Sequence, residues 1–493
     1  MSIHQTSNRK TTANSHPQPI PRPVGSGLRW LSIGLGLTGI ALLSATAGAL
    51  LAVSLISTPL MQSKLTPEQA AIFGKGEKIS SGNNLQLPEL TRPVNIMILG
   101  VKVLTSDVDT PPEEIADVGY HALVNSFEGL SDTMLMLRFE PSTHKVTLLS
   151  IPRDTRTWVE GHGLVKINAA NYHGGPALSA SSISELLGGV GIDRYVRINV
   201  QGIEKLIDAL GGVTVHVPKD MKYQDDSQHL YINLKAGTQH LNGSQALQFL
   251  RYRYDNLGDI GRIQRQQMFM RAMIEQTLSP ATIAKLPKIL SIVRSHIDTN
   301  LSVEELLALA NFAGQTDRSK MQMLLLPGRF SEPEEFDASY WVPQYSSIDA
   351  LMAEHFDFGY DGYEDYSDYN DYQIDPTHLA IAIQDTTGQL ESVDQLYTWL
   401  ETQGYYNLYA TDSWSDPLTT TRIIAQDGNI ESARAIRNVL GFGEVRVEST
   451  GNLQSDVTIQ LGQDWLTQTA QQPLLNSTPS YNSYPESQPH STW

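Results

Sequence analysis

Val94-Asn95-Ile96-Met97-Ile98-Leu99-Gly100 is a nearly continuous apolar run closed by a glycine. Runs of this kind suit central strands of a sheet covered on both faces. Two more follow, Thr133-Met134-Leu135-Met136-Leu137 and Lys145-Val146-Thr147-Leu148-Leu149-Ser150-Ile151. Helical patterns interleave with them. Residues 176–187 open on Pro176, which suits a first helical turn, and stop at Gly188-Gly189. Ile203, Leu206, Ile207 and Leu210 recur at i, i+3, i+4, i+7 and stop at Gly211-Gly212, an amphipathic helix with a glycine cap. Residues 213–217 then read as a strand, and Ser302-Val303-Glu304-Glu305 is a capping box opening a further helix. This alternation predicts an α/β (α+β) layered domain over residues 93–345, a central sheet covered by helices.

Outward from that domain the chain changes character. Residues 1–27 are polar and rich in Pro and Ser, and read as a disordered tail. Residues 31–57 contain no charge, within a segment, 28–57, long enough to cross a bilayer as one transmembrane helix. Ala45-Thr46-Ala47-Gly48 is compatible with cleavage, but the apolar stretch exceeds that of a usual signal peptide, which favours an uncleaved anchor. Arg9, Lys10, Arg22 and Arg29 precede the span without any Asp or Glu, so the amino terminus is expected in the cytoplasm and the bulk outside it. With +4 before the span and −18 overall, residues 31–493 carry −22. Charge and location together argue against nucleic acid as a partner. The chain has no cysteine, which removes disulfides and thiolate chemistry.

Residues 58–92 read as a linker. Residues 346–376 read as an acidic linker in which Tyr360, Tyr363, Tyr366, Tyr369 and Tyr372 recur every third position, without the Gly and terminal Glu of a calcium loop. Residues 377–466 read as a small αβ domain: strands at 379–383, 422–425, 445–447 and 457–461, helices at 393–400 and 430–440. Residues 467–493 read as a disordered tail rich in Gln, Ser and Pro.

Chemistry concentrates elsewhere. Arg251-Tyr252-Arg253 is followed by Gly258-Asp259-Ile260-Gly261-Arg262-Ile263-Gln264-Arg265-Gln266-Gln267, a cationic cluster in an acidic protein. Arg suits phosphate because its planar fork matches two oxygens and stays charged. Arg251 and Arg253 would share one face of an extended segment, and Arg262 and Gln266 one face of a helix. Asp259, at the mouth of that helix, would orient an arginine or help hold a metal. Ser131-Asp132-Thr133 opens one strand and Pro152-Arg153-Asp154 closes another. Asp132 is a credible ligand for Mg²⁺, and Arg153 is placed to neutralise charge on a transferring phosphoryl group.

These segments occur in a family-like order. Ser131-Asp132-Thr133-Met134, Ile151-Pro152-Arg153-Asp154-Thr155, Lys166-Ile167-Asn168-Ala169-Ala170 and Gly174-Gly175-Pro176 come first. Ile192-Asp193-Arg194-Tyr195-Val196, Asp208-Ala209-Leu210-Gly211-Gly212-Val213, Leu241-Asn242-Gly243-Ser244-Gln245-Ala246-Leu247 and Gly261-Arg262-Ile263-Gln264-Arg265-Gln266-Gln267 follow. Over residues 93–280 the chain resembles the LytR-CpsA-Psr family of membrane-anchored cell-envelope phosphotransferases. Residues 379–465 resemble the small carboxy-terminal domain often attached to it, through Ser455-Asp456-Val457-Thr458-Ile459 and Leu461-Gly462.

The resemblance implies a polyprenyl-pyrophosphate-linked glycan whose lipid lies in a hydrophobic pocket under the sheet. The glycan-phosphate would move to a wall acceptor, typically a peptidoglycan sugar hydroxyl, with pyrophosphate hydrolysis as the uncoupled reaction. By motif, Asp132 would assist Mg²⁺ or activate the acceptor, and Arg153, Arg251, Arg253 and Arg262 would grip the phosphates. Asp259 and Gln266 would complete the head-group site, with Lys166 as a neighbour. One position departs from the family. Where its members commonly carry Gly-x-Asp after the first strand, this chain has Gly100-Val101-Lys102. Asp107 would then take over as metal ligand, or Asp132 and the substrate would hold the metal, or Lys102 would itself supply positive charge. A non-catalytic lipid-phosphate-binding protein, disabled at Lys102, is the alternative reading.

Overall fold

The computed structural model describes residues 62–74, 77–82, 87–102, 127–226, 230–252, 258–277, 280–316, 320–332, 334–359, 378–411, 417–426, 430–452 and 454–471. The expected membrane span, the expected tail at 1–27, the expected carboxy-terminal tail beyond residue 471 and the repeated tyrosines lie outside them. Among the described residues no helix is long and apolar enough to cross a membrane.

Six strands form the central sheet, in the spatial order Ile297–Thr299, Arg194–Asn199, Val94–Lys102, Leu130–Glu140, Lys145–Ile151, Met321–Leu325. Val94–Lys102 runs antiparallel to Leu130–Glu140 and parallel to Arg194–Asn199. Its side chains divide between two cores. Met97, Leu99 and Val101 pack with Met134, Met136 and the helix Ala169–Leu186. Val94 and Ile96 pack with Leu135, Leu137 and Phe312 of the helix Val303–Gln315. Burial on both faces is why that strand is apolar without alternation.

The local signals behave as their chemistry requires. Val200–Leu210 ends at Gly211 with φ 97°, its N–H bonding Ile207 and Asp208 carbonyls. Ser302 and Glu305 exchange both capping-box bonds. The helix Gly243–Arg251 opens on a second capping box, Asn242 with Gln245. Its first residue must be glycine, because a Cβ there would lie 2.2 Å from the Glu204 carbonyl oxygen. The Gly243 N–H donates to Asp208 Oδ1 at 2.8 Å, tying this helix to Val200–Leu210.

The structure corrects several boundaries. The stretch expected as a linker at 58–92 holds the capped turn Pro67–Ala71 and the paired segments Ser80–Ser81 and Glu89–Leu90. Phe73 and Ile79 from it are buried in the two cores. The acidic linker likewise begins with a helix, Tyr345–Phe356, that buries Ile348, Leu351, Met352 and Phe356. The helix expected over 176–187 starts earlier, at Ala169, and breaks at Gly174 and Gly175 before Pro176 restarts it. Gly175 has φ 61° and ψ −149°, a conformation that side chains disfavour.

The carboxy-terminal domain is a five-stranded sheet in the order Leu408–Ala410, Ile381–Asp385, Val457–Leu461, Arg422–Ala425, Glu444–Val447. Sequence reading missed Leu408–Ala410 and the helix Gln463–Gln471, part of which falls in the expected tail. One face, with Ile381, Ile383, Ile423, Ile459 and Leu461, is buried with Leu396, Leu400 and Ile436 of two helices. The other carries a row set by register, Gln384, Gln460, Arg422 and Glu444. The helix Gly258–Thr277 meets this polar face: Gln264 Nε2 donates to the Gly451 carbonyl at 2.6 Å, and Arg271 pairs with buried Glu448. Burial, helped by the neighbouring Arg446 charge, pushes the Arg422 guanidinium below its ordinary pKa. The Ser449 N–H also reaches the central sheet, donating to the Met323 carbonyl at 3.0 Å.

Candidate functional site: an arginine-lined cleft

Asp132 owes its position to a bulge. Gly100 pairs with Thr133 and Val101 with Ser131, so Asp132 is the extra residue between them. Bulges re-aim side chains and recur beside active sites. Ser131 is fully buried, whereas Asp132 and Thr133 both reach a cleft of about 230 Å³. The glycine opposite leaves little room, since a Cβ on Gly100 would sit 3.0 Å from Thr133 Cβ and press on it.

Arg153 comes from the turn after Lys145–Ile151. Pro152 accepts from the Thr155 N–H and hydroxyl, the Arg153 carbonyl accepts from the Asn168 N–H at 3.2 Å, and the Thr155 carbonyl from Ile167. This turn aims the guanidinium at Asp132, Nη1 to Oδ1 at 2.7 Å. Asp154 holds the same arginine at 3.3 Å and takes Lys166 Nζ at 2.8 Å. Asp154 is thus an organiser that sequence reading left without a role, although its place beside Arg153 was a usable signal.

The opposite wall comes from two helices. Arg251 is the last residue of Gly243–Arg251, so it is helical rather than part of an extended pair; Arg253 lies outside the described residues. Arg262 and Gln266 share a face of Gly258–Thr277, as their spacing predicts, and both line the cleft. Arg262 is 5% exposed, and Gln266 Nε2 donates to Thr133 Oγ1 at 3.1 Å. Their neighbours anchor the helix: Arg265 bonds the Tyr252 carbonyl and lies over its ring, and Gln267 donates to Ser150 and Leu324. Asp259 falls in the first turn of this helix, with its side chain outside the description. Lys166 stays behind Asp154 and does not line the cleft.

The lining of the cleft is of two chemical kinds. Asp132, Thr133, Arg251, Arg262 and Gln266 are polar; Val200, Ile203, Leu230, Leu247 and Leu250 are apolar. Tyr223 and Asp225, from the hairpin strand Met221–Asp225, complete the wall and carried no sequence signal. Its volume is below the roughly 300–1,000 Å³ of a whole drug-sized ligand site and suits a head group with the start of an apolar chain.

Among the described residues no three His, Asp or Glu side chains gather as a metal cage. Asp107 and the Lys102 side chain lie outside the description, though the Lys102 backbone ends the strand at the cleft rim. Mg²⁺ is commonly bound by one or two carboxylates with substrate phosphates and water. Asp132, which lines the cleft, offers the kind of carboxylate that mode uses.

Residues 61–356 match the LytR_cpsA_psr family, and residues 378–465 match the LytR cell envelope-related transcriptional attenuator domain. Polyisoprenyl-teichoic acid–peptidoglycan teichoic acid transferase TagV of Bacillus subtilis (strain 168) is 31% identical over 244 residues, 48% of this chain and 62% of that protein. The corresponding transferase TagU of Oceanobacillus iheyensis is 36% identical over 229 residues, 45% of this chain and 63% of that protein. The matched stretch thus spans less than two thirds of either relative's own length. The crystal structure of B. subtilis TagV is 28% identical with a TM-score of 0.45, covering 55% of this chain and 99% of that one. With its family model matched over well more than half its length, the chain belongs to the LytR_cpsA_psr family.

Proposed function

We propose that the protein is a membrane-anchored, extracytoplasmic phosphotransferase that moves a glycan-phosphate from a polyprenyl-pyrophosphate carrier onto a cell-wall acceptor such as peptidoglycan. The observation that carries this reading is the cleft, whose lining combines Arg251, Arg262 and Asp132, the last paired with Arg153, with a set of aliphatic side chains. A lipid pyrophosphate has that same mixed character. The named activities of TagV and TagU, and the uncharged stretch at 31–57, support it.

In this scheme Arg251, Arg253 and Arg262 grip the pyrophosphate, with Gln266 and Asp259 completing the head-group contacts. Arg153 faces the phosphorus that bears the glycan. The acceptor oxygen bonds to that phosphorus as the anhydride P–O bond breaks, and polyprenyl phosphate leaves. Asp132 accepts the hydroxyl proton and holds Arg153 in line. Phosphoryl transfer demands chiefly positioning and charge stabilisation, which is what this set of side chains supplies. Mg²⁺, held by Asp132 with the pyrophosphate oxygens and Asp107, would add neutralising charge. Lys166 acts at one remove, through Asp154.

The test is phosphate release from a polyprenyl pyrophosphate by the detergent-solubilised full chain, with Mg²⁺ or with EDTA. Asp132→Asn should cut release by about 10²-fold, the scale of removing one catalytic proton acceptor. A wild-type protein that binds the lipid without cleaving it would sink the enzymatic reading. It would favour the non-catalytic binding role, with Lys102 in place of an aspartate as the cause.

A further inference from the structure

The strands Arg156–Val159 and Gly163–Lys166 form a hairpin that starts two residues after Asp154 and comes back to it at Lys166, whose Nζ pairs with that carboxylate. Its inner face is buried, with Thr157 at 2% and Val159 at 0% exposure, packed towards the helix Ala169–Leu186. A parallel bridge from Thr155 to Trp341 ties down its base. Its outer face holds two cross-strand pairs. Arg156 faces Lys166 at the end nearer Asp154, and Trp158 faces Leu164 farther out. Trp158 is 49% and Leu164 50% exposed, although the backbone carrying them is fixed from behind. Tyr172, also exposed, meets the ring of His173, which stacks on His162 of the hairpin turn at 3.7 Å. Burial and the neighbouring His162 hold His173 below its ordinary pKa.

Held rigidly from behind, this apolar pair offers a flat surface, and its Trp158 lies four residues along the chain from Asp154, in the turn that carries Arg153. We propose that this outer face is the acceptor subsite, where the sugar rings of a wall glycan lie over Trp158 and Leu164 and direct a hydroxyl to the phosphate at Arg153. The proposal rests on the phosphotransferase reading and assigns its second substrate. Three features select a glycan. An indole offers a broad apolar face with a polar edge, matching a sugar ring whose CH face is apolar and whose rim is hydroxylated. The strand covers about 7 Å from Trp158 back to Arg156, and two more residues lead to Asp154, which holds Arg153, so a sugar chain laid along it would run towards the reacting end. Finally, Arg156 and Lys166 present cationic donors to hydroxyl or carboxylate groups near the reacting end, held over Phe336 and Tyr340 at 4.5 and 5.6 Å. A membrane-inserting tip would favour basic residues towards anionic lipid, whereas this turn is Glu160-Gly161-His162 with Glu160 exposed.

The experiment compares wild type, Trp158→Ala, Trp158→Phe and the double variant Trp158→Ala/Leu164→Ser as full chains. Each receives a polyprenyl-pyrophosphate glycan and soluble N-acetylglucosamine oligomers, and products are divided into glycan-linked and water-hydrolysed. The ratio of transfer to hydrolysis should fall at least tenfold in the double variant, through a raised KM for the oligomer, with Trp158→Phe recovering most of it. An unchanged ratio overturns the proposal, as does a parallel fall of both products with no change in that KM. Loss of pelleting with phosphatidylglycerol vesicles, with the ratio intact, would identify a membrane contact instead. If wild type neither transfers nor hydrolyses, the phosphotransferase reading fails separately. Quenching of Trp158 fluorescence by the oligomers, lost in Trp158→Phe, then still decides the subsite.

Discussion

Arg153→Ala is expected to lower pyrophosphate cleavage by about 10²–10³-fold, the usual loss when one preorganised donor to developing charge is removed. The reason is its geometry. Arg153 sits on a turn fixed by backbone bonds through Pro152, Asn168 and Ile167, and is held between Asp132 at 2.7 Å and Asp154 at 3.3 Å. A group held this firmly needs no reorganisation when charge builds on phosphorus. Arg153→Lys should recover little, because an ammonium cannot hold Asp132, Asp154 and a phosphate oxygen in one plane. The side chain is 20% exposed, so water can hydrate what its removal uncovers, and the fold should survive. Single-turnover phosphate release, with a thermal melt beside it, checks both halves. Activity within a few-fold of wild type would remove Arg153 from the reaction.

The largest expected effect on stability comes from Asp298→Ala. Asp298 is 2% exposed and accepts from Arg197 Nε at 2.6 Å, from the Tyr195 hydroxyl at 3.2 Å, and from the Ser63 N–H and hydroxyl at 2.7 and 2.8 Å. Burial and the Asp298 charge raise the Tyr195 phenol well above its ordinary pKa, so it serves as a neutral donor. Truncation strands the Arg197 guanidinium, itself 7% exposed, in the interior. Breaking a buried pair from one side costs about 3–5 kcal/mol. For a domain of this size that is a fall in Tm of roughly 10 °C. Asp298→Asn keeps acceptors without charge and should lose less. Circular-dichroism melts of the two variants decide it, and a loss under about 1 kcal/mol for alanine would show the network to be dispensable. Because Ser63 belongs to this network, the same substitution releases the stretch where the chain enters the folded domain.

The strands and capped helices were legible because their causes are local. An apolar run at 94–100, a Ser-x-x-Glu box at 302–305 and paired glycines at 211–212 act over one or two turns of chain. The cationic side of the cleft was legible for the same reason, since Arg262 and Gln266 are one helical turn apart. What escaped depends on partners far along the chain. The bulge at Asp132 exists only once Leu130–Glu140 pairs with Val94–Lys102. Phe73 and Ile79 look like stray apolar residues in a polar stretch until the two cores take them in. Arg251 was misplaced because the Asn242 and Gln245 capping box, visible in the sequence, carries the helix through to that residue. Several family-like blocks also prove to be framework. Asp208 holds Gly243, Asp193 accepts the Asn95 N–H at 2.8 Å, and Arg194 pairs with buried Glu305.

The bond from Ser449 to Met323 has a consequence for where this protein can be cut. Met321–Leu325 is the outermost strand of the central sheet, with Lys145–Ile151 on its inner side and Glu448 and Ser449 on its outer side. An open strand edge recruits other edges, and natural proteins cover it with charge, proline or a neighbouring element. Here the carboxy-terminal domain is the cover. A fragment ending between residues 356 and 378, where composition invites a cut, would keep every residue of the cleft yet expose that edge to a second molecule. The small domain therefore guards solubility, and a catalytic fragment of this chain would need a redesigned border strand before it could stay monomeric.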